Sequence, residues 1–270
     1  MQCLPEGSPS RLSHDLDETS GAAFSLNDPT ILWTHNDGGN RAELLALDMD
    51  GKIQARIRVD ARNRDWEALD RGQCDAGSCL YIADTGDNNL TRGRIDLYRL
   101  LEPELSREKK VRPERFRMRL PDGPRDIEAM FVLPGERVYL VTKGRHHPVT
   151  VYHYPPPLRS DSLITLVEIQ KLTERTQSLP GRVTGASASE DGSLIAIRRY
   201  ASLEFFRLVD GRLRPIDGAS LSLLGLREPQ GEAVALGPNG AVALTSERDG
   251  ANRAVMTLLR CKLESDPGAP

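Results

Sequence analysis

Five times along the chain, an apolar segment centred on alanine is followed by a tight turn and a second apolar run. The segments read TSGAAFSL from Thr19, DWEALDRG from Asp65, DIEAMFVL from Asp126, VTGASASE from Val183 and QGEAVALG from Gln230. Aligned on Ala22, Ala68, Ala129, Ala186 and Ala233, they recur at intervals of about 50 residues. The turn signals NDP, DAGS, PGE, EDG and PNG lead into ILWTHND, CLYIADTGD, RVYLVTKG, LIAIRRY and AVALTSERD. A third run follows in each copy (ELLALD, RIDLYRL, VTVYHY, LEFFRL, RAVMTLL), then a more polar fourth: IQARIRV, RFRMRL, ITLVEIQ and, less distinctly, RLRPID.

Runs this short, punctuated by Gly, Asp, Asn and Pro, predict antiparallel four-stranded units. One such sheet cannot bury both of its faces, so the units must stack around an axis. The expected fold is therefore all-β, a single five-bladed β-propeller. Its blades fall at 18–60, 61–120, 121–173, 174–220 and 221–262, with 263–270 as a tail. The fifth blade lacks a fourth strand after RAVMTLLRC, and residues 1–17, through RLSHDLD, are expected to supply it and close the ring.

The four cysteines fit that closure. Cys3 would lie beside Cys261 across the junction, and Cys74 and Cys79 flank the short connection DAGS. Neither pair has the Cys-x-x-Cys spacing of a metal site, so two disulfides and a periplasmic or extracellular home are expected. Four reduced, buried thiols are the alternative. The opening MQCLPEGSPS has no apolar signal core, so export implies a signal already removed. No run reaches the roughly 18 apolar residues of a membrane helix. A net charge of −3 offers no basic field for nucleic acid or an anionic membrane.

In a propeller, the start of each first strand and the end of each second strand meet at one rim. Here that rim collects Glu67, Glu128 and Glu232 from three first strands, with Asp65 and Asp126 two residues before the first two glutamates and on the same expected strand face. Converging carboxylates repel unless a cation or arginines neutralise them. Oxygen-only donors suit a hard ion, Ca²⁺ above Mg²⁺, which makes Glu67, Glu128 and Glu232 the candidate metal ligands. In the other reading these acids cap backbone amides and pair with Arg64, Arg125 or Arg248 as glue between blades. Asn36, Asp37, Asp87, Asn88, Lys143 and Arg248, at the second-strand ends, are the candidate ligand-binding residues. His35, beside Asn36 and Asp37, is the candidate base. His146-His147 on the same rim reads as a solvated loop pair. The chain has no Gly-x-Ser-x-Gly elbow, His-Glu-x-x-His or phosphate-binding glycine loop.

The motifs DWEALDRG…LYIADTGDNN…IDLYRL, DGPRDIEAMFVL…VYLVTKG and QGEAVAL…AVALTSE resemble bacterial exported propellers of the esterase-like-phytase and SdiA-regulated, NHL-like kind. The resemblance runs from about Glu18 to Leu259. It implies a propeller, generally of six blades, so a sixth is the alternative count. It also implies rim carboxylates that hold calcium, at positions matching Glu67, Glu128 and Glu232. With Lys143 and Arg248 as the only evident cations of that rim, the basic cluster a polyphosphate substrate needs is not expected. Two functions are thus expected: a binding module whose acidic rim takes a small molecule, glycan or partner protein, or a calcium-dependent hydrolase of a phosphoester, ester or lactone.

Overall fold

The computed structural model describes residues 1–107 and 109–262; the expected tail at 263–270 lies outside them. Five antiparallel sheets, each starting from one alanine-centred segment, form a five-bladed β-propeller. The innermost strands are Thr19–Phe24, Trp66–Cys74, Ile127–Leu133, Val183–Ala188 and Gln230–Leu236. Three of them are buried at every position, because the five strands crowd around one axis. That crowding explains their content of Ala, Gly, Ser and Thr.

The apolar core is divided rather than central. Five clusters of buried side chains each draw on two neighbouring blades, one cluster per junction. Trp33 and Trp66 fill the junction of blades one and two, and Phe131 and Phe206 that of blades three and four. Each blade therefore buries its faces only against its neighbours, and the ring stands or falls as a whole.

The fifth blade supplies three strands of its own, Gln230–Leu236, Ala241–Glu247 and Val255–Lys262. Gln2–Pro5 pairs antiparallel with the last of these, with Cys3 directly opposite Cys261 in register. A disulfide joins those two residues, and a second joins Cys74 to Cys79. The segment expected to close the ring, RLSHDLD, pairs as a strand only at its first residue, Arg11, in the two-residue strand Ser10–Arg11. The rest bends into a single 3-10 turn, His14–Leu16, where the Ser13 hydroxyl accepts the Asp15 amide. Leu12 and Leu16 point inward there, at 1% and 0% exposure, so their burial selects the turn over the strand.

Blades one and two each carry a further short strand from the following blade. Lys110–Val111 pairs parallel with Arg58 and Val59, and Leu163–Thr165 pairs parallel with Arg117–Arg119. ITLVEIQ, expected as one strand, is thus split: its first residues cover the edge of blade two, and Val167–Lys171 forms the edge of blade three. Such crossings shield open edges that would otherwise pair with another chain.

Candidate functional site: an acidic rim around the propeller axis

Every innermost strand slips register near its rim end, at Trp66/Ala68, Ile127/Ala129, Thr19/Gly21, Val183/Gly185 and Gly231/Val234. In blades two and three the extra residue of the bulge is the repeated glutamate itself, Glu67 or Glu128. A bulge re-aims its side chain, here toward the axis. In blades one and four the extra residue is Ser20 or Thr184, and the glycine that follows it, Gly21 or Gly185, stands where the neighbours come too close for a side chain. A Cβ on Gly21 would strike His35 Nε2 and lie 2.6 Å from the Leu69 amide nitrogen; one on Gly185 would lie 2.7 Å from Glu232 O.

The bulges bring two overlapping sets of carboxylates together. Oxygens of Asp37, Asp65 and Glu67 lie within 4.8 Å of one another, as do those of Glu67, Asp126 and Glu128. Glu67 belongs to both sets. Asp65 and Asp126 precede the strands rather than lying on them, yet both turn into the cluster. Asp126 Oδ1 accepts the Asp87 amide at 2.9 Å, while its Oδ2 is buried with no hydrogen-bond partner. Gly86 closes one side: a Cβ there would fall on Glu67 Oε1 and lie 2.5 Å from Asp65 Oδ2.

Lys143 faces these acids, its Nζ donating to Glu128 Oε1 at 2.6 Å. Burial alone would lower the pKa of its ammonium, but Glu128 outweighs burial and raises it. Burial, then the charges of Glu128 and Asp37, hold Glu67 well above the usual carboxylate range. Glu128 is raised likewise, by burial and by Asp126 and Glu232, against the pull of Lys143. Asp37 is pushed up to about 6 by burial and by its neighbours Asp65 and Glu18.

Glu232, grouped by sequence with Glu67 and Glu128, belongs to neither carboxylate set. Its Oε1 accepts from Gln230 Nε2 at 2.8 Å and from the Tyr200 hydroxyl at 3.2 Å. The same Gln230 amide donates to Glu247 at 2.6 Å. Burial, then the charge of Glu247, pushes Glu232 up to about 8, and Glu247 itself rises to about 7. Tyr200, Gln230 and Glu247 lie inside repeated segments without being singled out as site residues.

Of the six residues expected to bind a ligand, Asp37 and Lys143 face the cluster. Asn36 holds the Glu18 amide and the Asp15 carbonyl. Asp87 caps the turn that follows it, accepting the amides of Thr91 and Arg92. Asn88 accepts from Arg145 at 3.0 Å, and Arg248 pairs with Asp17 at 3.4 Å. His35 is fully buried between blades, edge-on to Trp66, and burial drops its pKa to about 4. His147 meets Arg125 at 3.2 Å beside a cavity of about 10 Å³. Two of the three arginines expected to neutralise the acids bind elsewhere: Arg125 pairs with Asp122 and Arg248 with Asp17.

Deeper along the axis, a second network braces four blades. Asp70 accepts the Val132 amide at 2.8 Å and the Ser187 hydroxyl at 3.3 Å, and Ser187 in turn accepts the Leu236 amide. Arg71 donates to Leu236 O at 2.7 Å. Arg71 also borders a concavity of about 690 Å³ between blades four and five, which contains none of the rim carboxylates.

No protein-family profile matches the chain, and neither does any curated protein sequence. Solved structures do. A PQQ-bound aldose sugar dehydrogenase from Streptomyces coelicolor superposes with a TM-score of 0.57 at 9% identity, covering 96% of this chain and 98% of that one. What they share is the propeller. A glucose dehydrogenase gives 0.50 at 14% identity, over 96% of this chain and 100% of the other. A gluconolactonase from Xanthomonas campestris gives 0.48 at 13%, over 96% and 97%. The similarity expected from the motifs is thus carried as far as the fold, without a phytase-like or SdiA-regulated family.

Proposed function

We propose that the chain is an exported propeller that binds a small molecule, glycan or partner protein at its central rim through a divalent cation. The observation that carries this reading is the pair of carboxylate sets sharing Glu67, with the unpartnered Asp126 Oδ2 among their oxygens. A buried carboxylate oxygen without a donor is costly, and a cation removes that cost. The donor set contains only oxygen, which favours Ca²⁺. Asp37, Asp65, Glu67, Asp126 and Glu128 would hold the ion, and Lys143 would orient an oxygen-rich ligand beside it. The two disulfides support an oxidising compartment, periplasmic or extracellular.

The test is thermal unfolding in Ca²⁺ against EDTA. The unmutated protein should melt several degrees higher with Ca²⁺, and Glu67→Gln with Glu128→Gln should erase the difference. Identical melting curves for the unmutated protein would overturn the reading.

A calcium-dependent hydrolase of a phosphoester, ester or lactone is the second reading, favoured by Glu232. A carboxyl held near pH 8 beside Tyr200 is poised to exchange a proton at neutral pH, which His35, sealed in the blade junction, is not. Glu232→Gln should then abolish hydrolysis of a chromogenic ester or lactone while leaving the Ca²⁺-induced rise in Tm. Activity undiminished by that change would exclude Glu232.

A further inference from the structure

On the rim that carries the acids, but outward along blade five, Arg11, Arg227 and Arg253 line a concavity of about 490 Å³. None of the three is ion-paired among the described residues, and Arg253 makes a single side-chain bond, to Leu12 O at 2.5 Å. Two acids share the lining, Glu228 and Asp249. Glu228 is already neutralised by the fully buried Arg198, and Asp249 is exposed. The concavity therefore keeps an excess of about two positive charges within a chain that is acidic overall.

Arg227 also stands in the left-handed region, at φ 53° and ψ 36°, directly after the 3-10 turn Leu224–Leu226. A bulky residue there costs about 1 kcal/mol that glycine would avoid. Arg227 thus ends the 3-10 turn and carries its guanidinium to the concavity.

We propose that Arg11, Arg227 and Arg253 form a phosphate pocket that takes the dianionic phosphate group of a small molecule. Guanidinium groups match a tetrahedral oxyanion through paired N–H donors, and three of them exceed what a single carboxylate requires. The volume leaves room for a substituent beyond the phosphate itself. The pocket opens on the same rim as the carboxylate cluster, and its occupancy does not depend on a cation there.

The test is calorimetric titration of inorganic phosphate into the metal-free protein at low ionic strength, with acetate as comparator. Phosphate should bind at least tenfold more tightly than acetate, and its affinity should fall as salt rises. Arg227→Gly should weaken phosphate binding at least tenfold with no fall in Tm, because the strain is relieved as the donor is lost. Arg11→Gln should weaken binding in the same direction, and Glu67→Gln should leave it unchanged, which separates this pocket from the cation site. Absence of phosphate binding, equal binding of acetate, or full affinity in Arg227→Gly would each overturn the proposal.

Discussion

Lys143 Nζ sits 2.6 Å from Glu128 Oε1, one buried ammonium among carboxylates from three blades. The pair is 13% and 3% exposed at its side chains, so its charges are poorly screened by water. Losing the ammonium leaves Glu128 beside Asp126 and Glu67 with no opposite charge to offset them. Lys143→Gln should cost the cation-free protein about 3 kcal/mol, read from urea unfolding in EDTA. Saturating Ca²⁺ should recover most of that loss. A variant as stable as the parent in EDTA would show that the cluster is already neutralised by protons.

Protons are the other way to relieve the cluster, and they set a pH dependence. Glu232 rises from 4.5 to about 8 and Glu247 to about 7 on folding. Between these values the folded protein holds protons that the unfolded chain has released. Their contribution to stability is whole below about pH 4.5 and is lost as pH climbs toward 8. The unfolding free energy from urea titrations in EDTA should therefore fall between pH 5 and pH 8, by a few kcal/mol in total. Ca²⁺ should flatten or invert the slope, since it binds the deprotonated acids and displaces protons. A slope unaffected by Ca²⁺ would separate Glu232 and Glu247 from the ion.

Gly86 tests the site's shape rather than its charge. Alanine there would push on both Glu67 and Asp65. Gly86→Ala should abolish the Ca²⁺-induced rise in Tm while the far-ultraviolet circular dichroism stays that of the parent. Retained calcium stabilisation would show that neither carboxylate needs its present position.

The two disulfides should differ in worth. Cys3–Cys261 closes a loop of sequence separation 258, and Cys74–Cys79 one of 5. Chain entropy alone assigns them about 5.5 and about 2 kcal/mol. Cys3→Ser with Cys261→Ser should lower Tm well beyond Cys74→Ser with Cys79→Ser, in scanning calorimetry under oxidising conditions. Equal losses would mean that the strand pairing of Gln2–Pro5, rather than the bond, holds the ring.

The architecture was legible because a propeller repeats itself: one alanine-centred strand, read five times, specifies both the blade and the number of blades. Glu67 and Glu128 were legible for the same reason. Glu232 misled, because the repeat that aligns it with them says nothing of Tyr200, Gln230 and Glu247, which hold it in a separate network. Asp37 was marked as a ligand contact by its place after a second strand, though not as a partner of Asp65 and Glu67. The bulges that aim the glutamates leave no trace in spacing, since one extra residue in a strand does not change its composition. RLSHDLD misled in the opposite way: Leu12 and Leu16, an even number of residues apart, would share one face of a strand, but both are buried by a turn.

The bond between Cys3 and Cys261 makes the polypeptide between them a covalent circle. A protease that cuts one surface turn inside that circle opens it without dividing it, so the nicked molecule remains one covalently connected chain. Only a second cut, or a reductant, can release a fragment. In an oxidising, protease-rich compartment, the closure would then guard the ring against damage as well as against unfolding.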